Sequence, residues 1–227
     1  MIFQINANGY TEHAKLLSRI IRERVDTTLC GEQMYIELKV DKEIGLKDSY
    51  VICGNENKWE IVGADERGLY YGIGKFLHSA NWKDDWFAPK ESGGIVSPDN
   101  SFRAIYFAIH FNNWYDEVST AELETYLDEM LLYGHNAIMA IIPIVSVNSC
   151  EDAFFVRAVD KMRSIFSLAK DRGMEVGILM PPNQGMKNAP KEWLADPSYE
   201  QNPKKIVRGS LGNNICPSII EAHEYLR

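Results

Sequence analysis

The residues best suited to chemistry follow a nearly continuous apolar run in the middle of the chain. At the end of this run lie His110, Asn112, Asn113 and Trp114. Hydrogen-bond donors beside an aromatic ring are suited to stacking on a pyranose and holding its hydroxyl groups. The alternative is that the Trp114 ring packs on a neighbouring loop and the two asparagines form a turn. The pattern therefore indicates a carbohydrate-binding site and leaves a structural role open.

A second candidate segment is the loop PPNQG, which follows a later apolar run. Asn183 and Gln184 in this loop could contact a ligand, although paired prolines and a glycine also describe an ordinary loop. Cys216, in the sequence CPS, could line the same site or be a small buried residue. We predict that Asn183, Gln184 and Cys216 join the first group as substrate-binding residues.

Two adjacent carboxylates, Asp116 and Glu117, raise the question of acid–base chemistry. They precede a helix that Ser119 and Glu122 would cap, and a favourable interaction with the helix dipole accounts for them. The histidines share no helical face, and the four cysteines contain no CxxC pair. We therefore predict no metal site, no disulfide framework and no cofactor.

The elements that would position these candidates are three strand–helix units after residue 101. Apolar runs predict strands at 102–111, 137–144 and 174–180. Apolar stripes predict a helix after each of the first two strands, and Ser218 with Glu221 predicts the start of a third helix. Strands separated by helices are parallel, in an open doubly wound sheet or a closed barrel, and the carboxyl ends of barrel strands carry active sites.

The first 97 residues predict a small α+β domain. Its strands are predicted at 2–6, 34–40, 49–54 and 58–64, and its helices at 11–25 and 67–80. The second helix contains Gly68, Gly72 and Gly74, each costing roughly 1 kcal/mol in a helix interior unless close packing offsets it. The GxG pattern lacks the third glycine of a dinucleotide-binding loop. Residues 81–101, rich in proline, glycine and charge, predict a linker with a boundary near Ser97.

Length, charge and hydropathy narrow the class of protein. The chain has 227 residues, 45% of them hydrophobic, and a net charge of -8. A net negative charge with no concentrated basic face disfavours binding to a phosphate backbone, so we predict no nucleic-acid partner. No apolar segment is long enough to cross a membrane, and the first residues do not resemble a signal peptide. We expect a soluble protein, cytoplasmic, or periplasmic or secreted if a leader has been removed.

Four segments, in this order, resemble known glycoside hydrolases. The first and second are VGADERGLYYGIGKFLHSANW and SFRAIYFAIHFNNWYD, and the third and fourth are MLLYGHNAIMAIIP and NNICPSIIEAHEYLR. The first resembles the end of the small α/β domain that precedes the barrel in family 20 hexosaminidases and α-glucuronidases. The second and third resemble the first barrel strand, with its Arg after an aromatic residue, and the helix and strand that follow. The fourth resembles an element after the third strand.

The resemblance implies an α/β fold with two domains. Residues 1–97 would form a hexosaminidase-like accessory domain with its linker, and residues 98–227 the first part of a (β/α)8 barrel, about three β/α units. A complete barrel needs about 250 residues, and roughly half as many follow residue 101. The first strand ends in HFNNWYD and lacks the arginine with which family 20 enzymes grip the sugar, so the substrate class stays open.

The function implied is hydrolysis of O-glycosidic bonds by the parent enzyme, with an oligosaccharide or glycoside as substrate. The two carboxyl groups that such chemistry needs lie after the fourth and later strands in the resembling enzymes, so we expect this chain to be inactive alone. The alternatives are a non-catalytic carbohydrate-binding or scaffold protein and a doubly wound nucleotide-binding domain. A half-barrel exposes strand edges and apolar faces, which predicts that the chain forms a homodimer or aggregates unless it extends further.

Overall fold

The structure, a computed structural model, describes residues 2–25, 33–84, 86–109, 113–141, 144–196 and 213–225. The chain divides into two units. The first unit comprises Met1–Ile105, Ala121–Ala137 and Leu168–Glu175. The second unit comprises Tyr106–Thr120, Ile138–Ser167 and Val176–Arg227. The fold is mixed α/β, as the sequence predicts.

A four-stranded sheet forms the centre of the first unit. Its strands are β1 (Ile2–Asn6), β2 (Gln33–Val40), β3 (Tyr50–Asn55) and β4 (Lys58–Gly63). The strand order is β1-β2-β4-β3, with β1, β2 and β4 parallel and β3 antiparallel to β4. Residues alternate between the two faces of a strand, and in β2 this alternation buries Met34, Ile36 and Leu38. The predicted strands of the N-terminal region are confirmed.

Two helices share one hydrophobic core with this sheet. They are α1 (Thr11–Arg24) and α2 (Glu66–His78). Helix α1 buries Leu17 and Ile21, and α2 buries Leu69, Ile73 and Phe76, in one hydrophobic cluster. Asp65 caps α2 by accepting a hydrogen bond from the Gly68 amide at 2.8 Å. Both predicted helices are confirmed to within two residues at each end.

The stretch predicted to be a linker contains regular structure. Strands β5 (Asn81–Lys83) and β6 (Trp86–Ala88) pair antiparallel. Phe87 is fully buried, and its ring lies 5.8 Å from that of Phe76 at 85°. Further along, Val96 forms an antiparallel bridge with Tyr50. The prediction of an irregular linker was wrong here because single buried aromatic residues produce no periodicity.

A separate three-stranded sheet is built from the strands that follow residue 101. Its order is β7 (Ala104–Phe107), β8 (Ala137–Ile141), β9 (Glu175–Leu179). The beginnings of the strands are joined, because the Asn136 amide donates to the Arg103 carbonyl at 3.1 Å and the Glu175 amide donates to the Asn136 carbonyl at 2.8 Å. Strands that start side by side run in the same direction. The prediction that these three stretches are neighbours is confirmed.

Helices occupy the connections of this sheet. Helices α3 (Trp114–Glu117) and α4 (Thr120–Leu132) lie between β7 and β8, and α5 (Ala153–Asp171) lies between β8 and β9. The helix predicted after Ser218 is wrong in type, since the structure has a 3-10 turn at Ile220–Ala222. Its start lacks a side-chain cap hydrogen bond.

The three strands are shorter and more exposed than the apolar runs predict. Strand β7 covers four residues of the predicted 102–111, and β8 and β9 cover five residues each. The side chains of Tyr106, Ile178 and Leu179 are 46%, 50% and 46% exposed. Side chains of β7 and β9 are thus partly open to solvent. Both strands lie at the edges of the sheet order, where neighbours on one side are missing among the described strands.

A buried charged cluster joins the segments of the first unit. We call it the Asp48 cluster; its members are Asp48, Arg67, Tyr71, Arg103 and Asn136. Asp48 accepts hydrogen bonds from Arg67 Nε at 2.9 Å and from Arg103 Nη2 at 2.8 Å. Arg103 Nη2 also donates to the Tyr71 hydroxyl at 3.1 Å, and its backbone amide donates to Asn136 Oδ1 at 2.8 Å. The cluster thus links α2 to the starts of β7 and β8.

The environment of the cluster sets the ionisation of its members. Burial alone would raise the pKa of the Asp48 carboxyl, but hydrogen bonds and charge from Arg103 and Arg67 outweigh burial and hold that pKa below its ordinary value. Burial, with the negative charge of Asp48, raises the pKa of Tyr71 to about 12. The cluster is therefore an ionised triad with a neutral phenol.

Candidate functional site

The candidate site belongs to the second unit, in the segments that follow β7 and β9. We call these segments the rim. Of the predicted substrate-binding residues, the structure describes Asn113, Trp114, Asn183, Gln184 and Cys216. The other two, His110 and Asn112, lie outside the described residues.

Helix α3 fixes the first part of the rim. Asn113, in an extended conformation, caps this single turn by accepting a hydrogen bond from the Trp114 amide at 2.8 Å. The Trp114 side chain is 45% exposed, and its ring meets that of Tyr115 edge-on at 5.2 Å. Tyr115 in turn stacks on Phe107 of β7 at 4.4 Å. The aromatic ring is thus supported from one side and partly open to solvent.

The loop after β9 forms the second part of the rim and pairs with residues 213–216. Asn183 makes two hydrogen bonds with Ile215: its side-chain Nδ2 donates to the Ile215 carbonyl at 3.2 Å, and its carbonyl accepts from the Ile215 amide at 2.7 Å. Gln184 forms an antiparallel bridge with Asn214. The side chain of Asn183 is therefore used in holding the loop.

Cys216 is part of the same paired segment. Its amide donates to the Trp193 carbonyl at 2.8 Å, and its thiol is free and half-buried. Next to it, Ile215 is fully buried in a small cluster with Ala189 and Ala222. The structure thus brings together Asn183, Gln184 and Cys216, which the sequence placed on two separate loops.

Two oxygen atoms in the second unit are buried without a hydrogen-bond partner in the part of the chain that the structure describes. They are Asp116 Oδ2, in α3, and Gln184 Oε1, in the loop after β9. The sequence predicts a favourable interaction of Asp116 with the dipole of the following helix. In the structure Asp116 and Glu117 lie in the first turn of the four-residue helix α3, which precedes α4. Sequence patterns carry no signal for the burial of one particular oxygen.

Two other kinds of feature, a metal-binding cluster and a membrane-spanning helix, are absent from the described ranges. Among those residues, no group of three His, Cys, Asp or Glu side chains is arranged to hold a metal ion. No helix in the same ranges is both long and apolar enough to cross a membrane.

Comparisons by sequence return no relative. No family model matches the chain, and no curated protein matches it. The likeness to known proteins therefore has to come from the structure itself.

Several solved structures are similar to nearly the whole chain. One is the family 20 β-N-acetylhexosaminidase of Streptomyces coelicolor, at 14% identity over 99% of this chain and 51% of that one, with a TM-score of 0.61. Another is a mutant Streptomyces plicatus β-hexosaminidase in complex with its product GlcNAc, at 12% identity over 98% and 50%, with a TM-score of 0.63. A third is the family 20 exo-β-N-acetylglucosaminidase of Vibrio harveyi with N-acetylglucosamine, at 12% identity over 99% and 40%, with a TM-score of 0.61.

This chain has the fold of the family 20 glycoside hydrolases. The resemblance predicted from the four sequence segments is confirmed at the level of the fold. The chain spans from about two fifths to about half of the length of these family 20 structures. At such identities a shared family 20 fold does not fix a shared substrate.

Proposed function

We propose that this chain is the front part of a carbohydrate-active hydrolase. Residues 1–97 form its accessory α/β domain, and residues 98–227 contribute the first three β/α units of a (β/α)8 barrel. The observation that carries this proposal is the fold likeness, which extends over 98–99% of this chain and up to about half of each family 20 enzyme. The order β7-β8-β9, with helices in both connections, supports the assignment of the barrel units.

The substrate class proposed is a β-linked glycoside that contains N-acetylhexosamine, bound at the rim. Two of the similar structures hold N-acetylglucosamine, which supports this class. The half-exposed ring of Trp114 offers a stacking surface for a pyranose, and Gln184 offers a polar side chain. His110, Asn112, Asn113, Asn183 and Cys216 remain proposed members of the same site.

We further propose that the chain binds this glycoside without hydrolysing it. Hydrolysis needs two carboxyl groups on opposite sides of the scissile bond, about 5 to 9 Å apart. Asp116 and Glu117 are consecutive in α3, and consecutive helix residues do not face each other across a shared substrate. This adjacent pair is therefore unsuited to the two roles.

Binding and turnover are tested separately. In titration calorimetry, the wild-type chain is expected to bind N,N′-diacetylchitobiose, and Trp114→Ala to weaken binding about tenfold because the stacking surface is removed. Tyr133→Ala is the matched control, since Tyr133 is an exposed aromatic residue of the first unit, and its affinity is expected to equal that of the wild type. Release of nitrophenol from the aryl β-glycoside of N-acetylglucosamine is expected to stay at the buffer rate.

The outcomes separate the alternatives. No binding by the wild type would refute the proposed function, and turnover above the buffer rate would refute the inactivity of the chain. Binding without hydrolysis by the longest natural form of the protein would favour the non-catalytic carbohydrate-binding alternative.

We also propose that the chain forms a homodimer through β9. Among the described strands none pairs with the outer edge of β9, and Ile178, Leu179 and Met180 are all at least 46% exposed. Successive side chains of a strand point to opposite faces, so the exposure of the neighbours Ile178 and Leu179 leaves both faces uncovered at this end of β9. Glu175 is the only charged residue of β9, and an edge strand with few charged residues readily pairs with another chain.

Charged residues introduced at this edge are expected to separate the dimer. Sedimentation equilibrium of the double variant Ile178→Lys/Met180→Lys is expected to show a dimer dissociation constant at least tenfold above that of the wild type. Leu46→Lys is the control, because Leu46 is a 74% exposed apolar residue of the first unit. A wild-type chain that stays monomeric at high concentration would contradict the proposal.

A further inference from the structure

The first unit contains a cavity of about 300 Å³ between α2, β3 and the end of α4. Its lining is mostly apolar and includes Tyr50, Tyr71, Lys75, Val96, Pro98 and Leu132. Tyr71 and Leu132 are 5% and 3% exposed and form a buried floor, whereas Lys75 is exposed and lies at the open side. This volume, and an apolar lining with a few polar groups, are typical of sites for small molecules.

Main-chain contacts fix the walls of this cavity. Gly74 of α2 lies so close to the Leu132 carbonyl at the end of α4 that no Cβ atom would fit between them. Tyr50 and Val96 exchange two backbone hydrogen bonds, from the Tyr50 amide to the Val96 carbonyl at 2.9 Å and from the Val96 amide to the Tyr50 carbonyl at 2.8 Å. Walls held by the backbone are preformed, which lowers the entropic cost of binding a ligand.

Two hydrogen-bond donors of the lining have no partner among the residues that the structure describes. They are the Lys75 ammonium and the Tyr50 hydroxyl, and neither is fully enclosed by protein. Burial raises the pKa of Tyr50, so its phenol keeps the proton and stays a donor. The Tyr50 side chain lies against Gly72, where an added Cβ atom would be 3.3 Å from the Tyr50 Cβ. Lys75 follows Gly72 by three residues and shares its helix face, so the two donors line the same side of the cavity.

The charges around the cavity favour an anion. Lys75 and Arg103 are positive lining residues, and Asp48, whose carboxylate is shared by two arginines, is the negative one. His78 also lines the cavity; burial lowers its pKa in spite of Glu129, 4.0 Å away, so the imidazole is neutral at pH 7. Two positive charges and one negative charge leave a net charge of +1 at this cavity, in a chain whose net charge is -8.

We propose that this cavity binds a small organic carboxylate, with the apolar body of the ligand against Tyr71 and Leu132 and its carboxylate held by Lys75 Nζ and the Tyr50 hydroxyl. The single negative charge of a carboxylate matches the net charge of +1, and its two oxygens match the two donors. All residues of the cavity belong to the first unit, so this inference does not rest on the proposed binding of a glycoside.

The test compares a carboxylate probe with its neutral amide. In titration calorimetry at pH 7, 2-naphthoate is expected to bind about tenfold more tightly than 2-naphthamide, which has a similar shape and no charge. Lys75→Met is expected to weaken binding of 2-naphthoate about fivefold, because water partly screens an exposed ion pair, and to change binding of 2-naphthamide less than about twofold. Lys90→Met is the matched control, since Lys90 is an exposed lysine of the same unit that does not line the cavity.

The hydroxyl donor is tested in the same titration. Tyr50→Phe keeps the aromatic ring and is expected to weaken binding of 2-naphthoate about fivefold. Its melting temperature without ligand is expected to equal that of the wild type, because the hydroxyl has no partner among the described residues. Tyr35→Phe is the control, since Tyr35 is a half-buried tyrosine of β2 that does not line the cavity.

Three results would overturn the inference. If the wild type binds neither probe at millimolar concentration, the cavity is not a ligand site. If 2-naphthoate and 2-naphthamide bind equally well, the cavity accepts apolar molecules without recognising a carboxylate. If Lys75→Met weakens binding of 2-naphthoate no more than Lys90→Met does, the probe binds elsewhere on the chain. A fall in the melting temperature of Tyr50→Phe would make that hydroxyl structural, and the exposed Lys75 then decides the question, because its replacement leaves the fold intact.

Discussion

Replacing Gly74 with alanine is expected to destabilise the chain by about 3 kcal/mol, although alanine is the better helix former. A Cβ atom at Gly74 of α2 would lie 1.9 Å from the Leu132 carbonyl oxygen and 2.7 Å from the Leu132 carbonyl carbon. These are backbone atoms at the end of α4, so no side chain can rotate away to make room. The roughly 1 kcal/mol that alanine gains in helix propensity is smaller than the cost of moving the two helices apart.

Urea unfolding followed by circular dichroism measures this effect. Gly177→Ala is the matched control, because a Cβ there would meet the Met139 side chain at an ordinary 3.5 Å. Its free energy of unfolding is expected to stay within about 1 kcal/mol of the wild-type value. A Gly74→Ala variant as stable as the wild type would show that α2 and α4 are not in backbone contact.

The second large effect is expected at the Asp48 cluster. Asp48→Asn is expected to lower the free energy of unfolding by about 3 to 5 kcal/mol, because it leaves two largely buried arginines without their shared carboxylate. The side chain of Asp48 is 4% exposed, and those of Arg67 and Arg103 are 12% and 18% exposed. Asparagine is chosen because residue 48 has a φ of +69°, which Asn tolerates better than most residues.

The pKa of Asp48 determines how the stabilisation by the cluster changes with pH. The pKa of Asp48 in the folded chain lies below its ordinary value of 3.8, so the stabilisation is fully present above that pH. It is lost as the pH falls through the folded pKa, because the unfolded chain takes up the proton first. The difference in stability between the wild type and Asp48→Asn is therefore expected to shrink below about pH 3.8.

An exposed ion pair serves as the control for Asp48. Glu12 and Lys15 form a pair at 2.8 Å with side chains 73% and 67% exposed. Removing the charge in Glu12→Gln is expected to change the stability by less than about 0.5 kcal/mol. Equal effects of Asp48→Asn and Glu12→Gln would contradict a buried, structurally important cluster.

The elements of the fold were largely predictable because burial imposes a period on the sequence. Helix α2 follows from its apolar stripe, and its glycines were expected to need close packing. Gly72 does face the sheet, at Ile61, but Gly74 faces α4 and Gly68 faces the Ser49 carbonyl. Which backbone each glycine approaches depends on chain segments far away in sequence, so periodicity could not predict it.

The sequence identified the segments that carry the family resemblance, but it did not predict that residues from three of them meet in the Asp48 cluster. Arg67 and Tyr71 come from the first segment, Arg103 from the second and Asn136 from the third. The structure brings them together around Asp48, which belongs to none of these segments. Their contacts are structural, and the sequence alone did not indicate this.

For the candidate site, the sequence predicted which types of residue could contact a sugar, but not the contacts that their side chains make. Trp114 and Gln184 were selected because they could contact a sugar, and both lie in segments that follow strands of one sheet. The side-chain oxygen of Asn113 caps α3, a single turn that the sequence did not predict, whereas the helix predicted after Ser119 is α4. The burial of a single oxygen of Asp116 depends on packing between segments, which a local pattern does not record.

The first unit is discontinuous along the chain, and this has a consequence for its synthesis. Its last stretch is Leu168–Glu175, so most of the chain must emerge from the ribosome before this unit can be completed. Around Asp48 the hydrogen-bonding partners emerge one by one: Arg67 first, Arg103 next and Asn136 last. Until Arg103 has left the exit tunnel, the nascent polypeptide carries this carboxylate with only one of its two arginines.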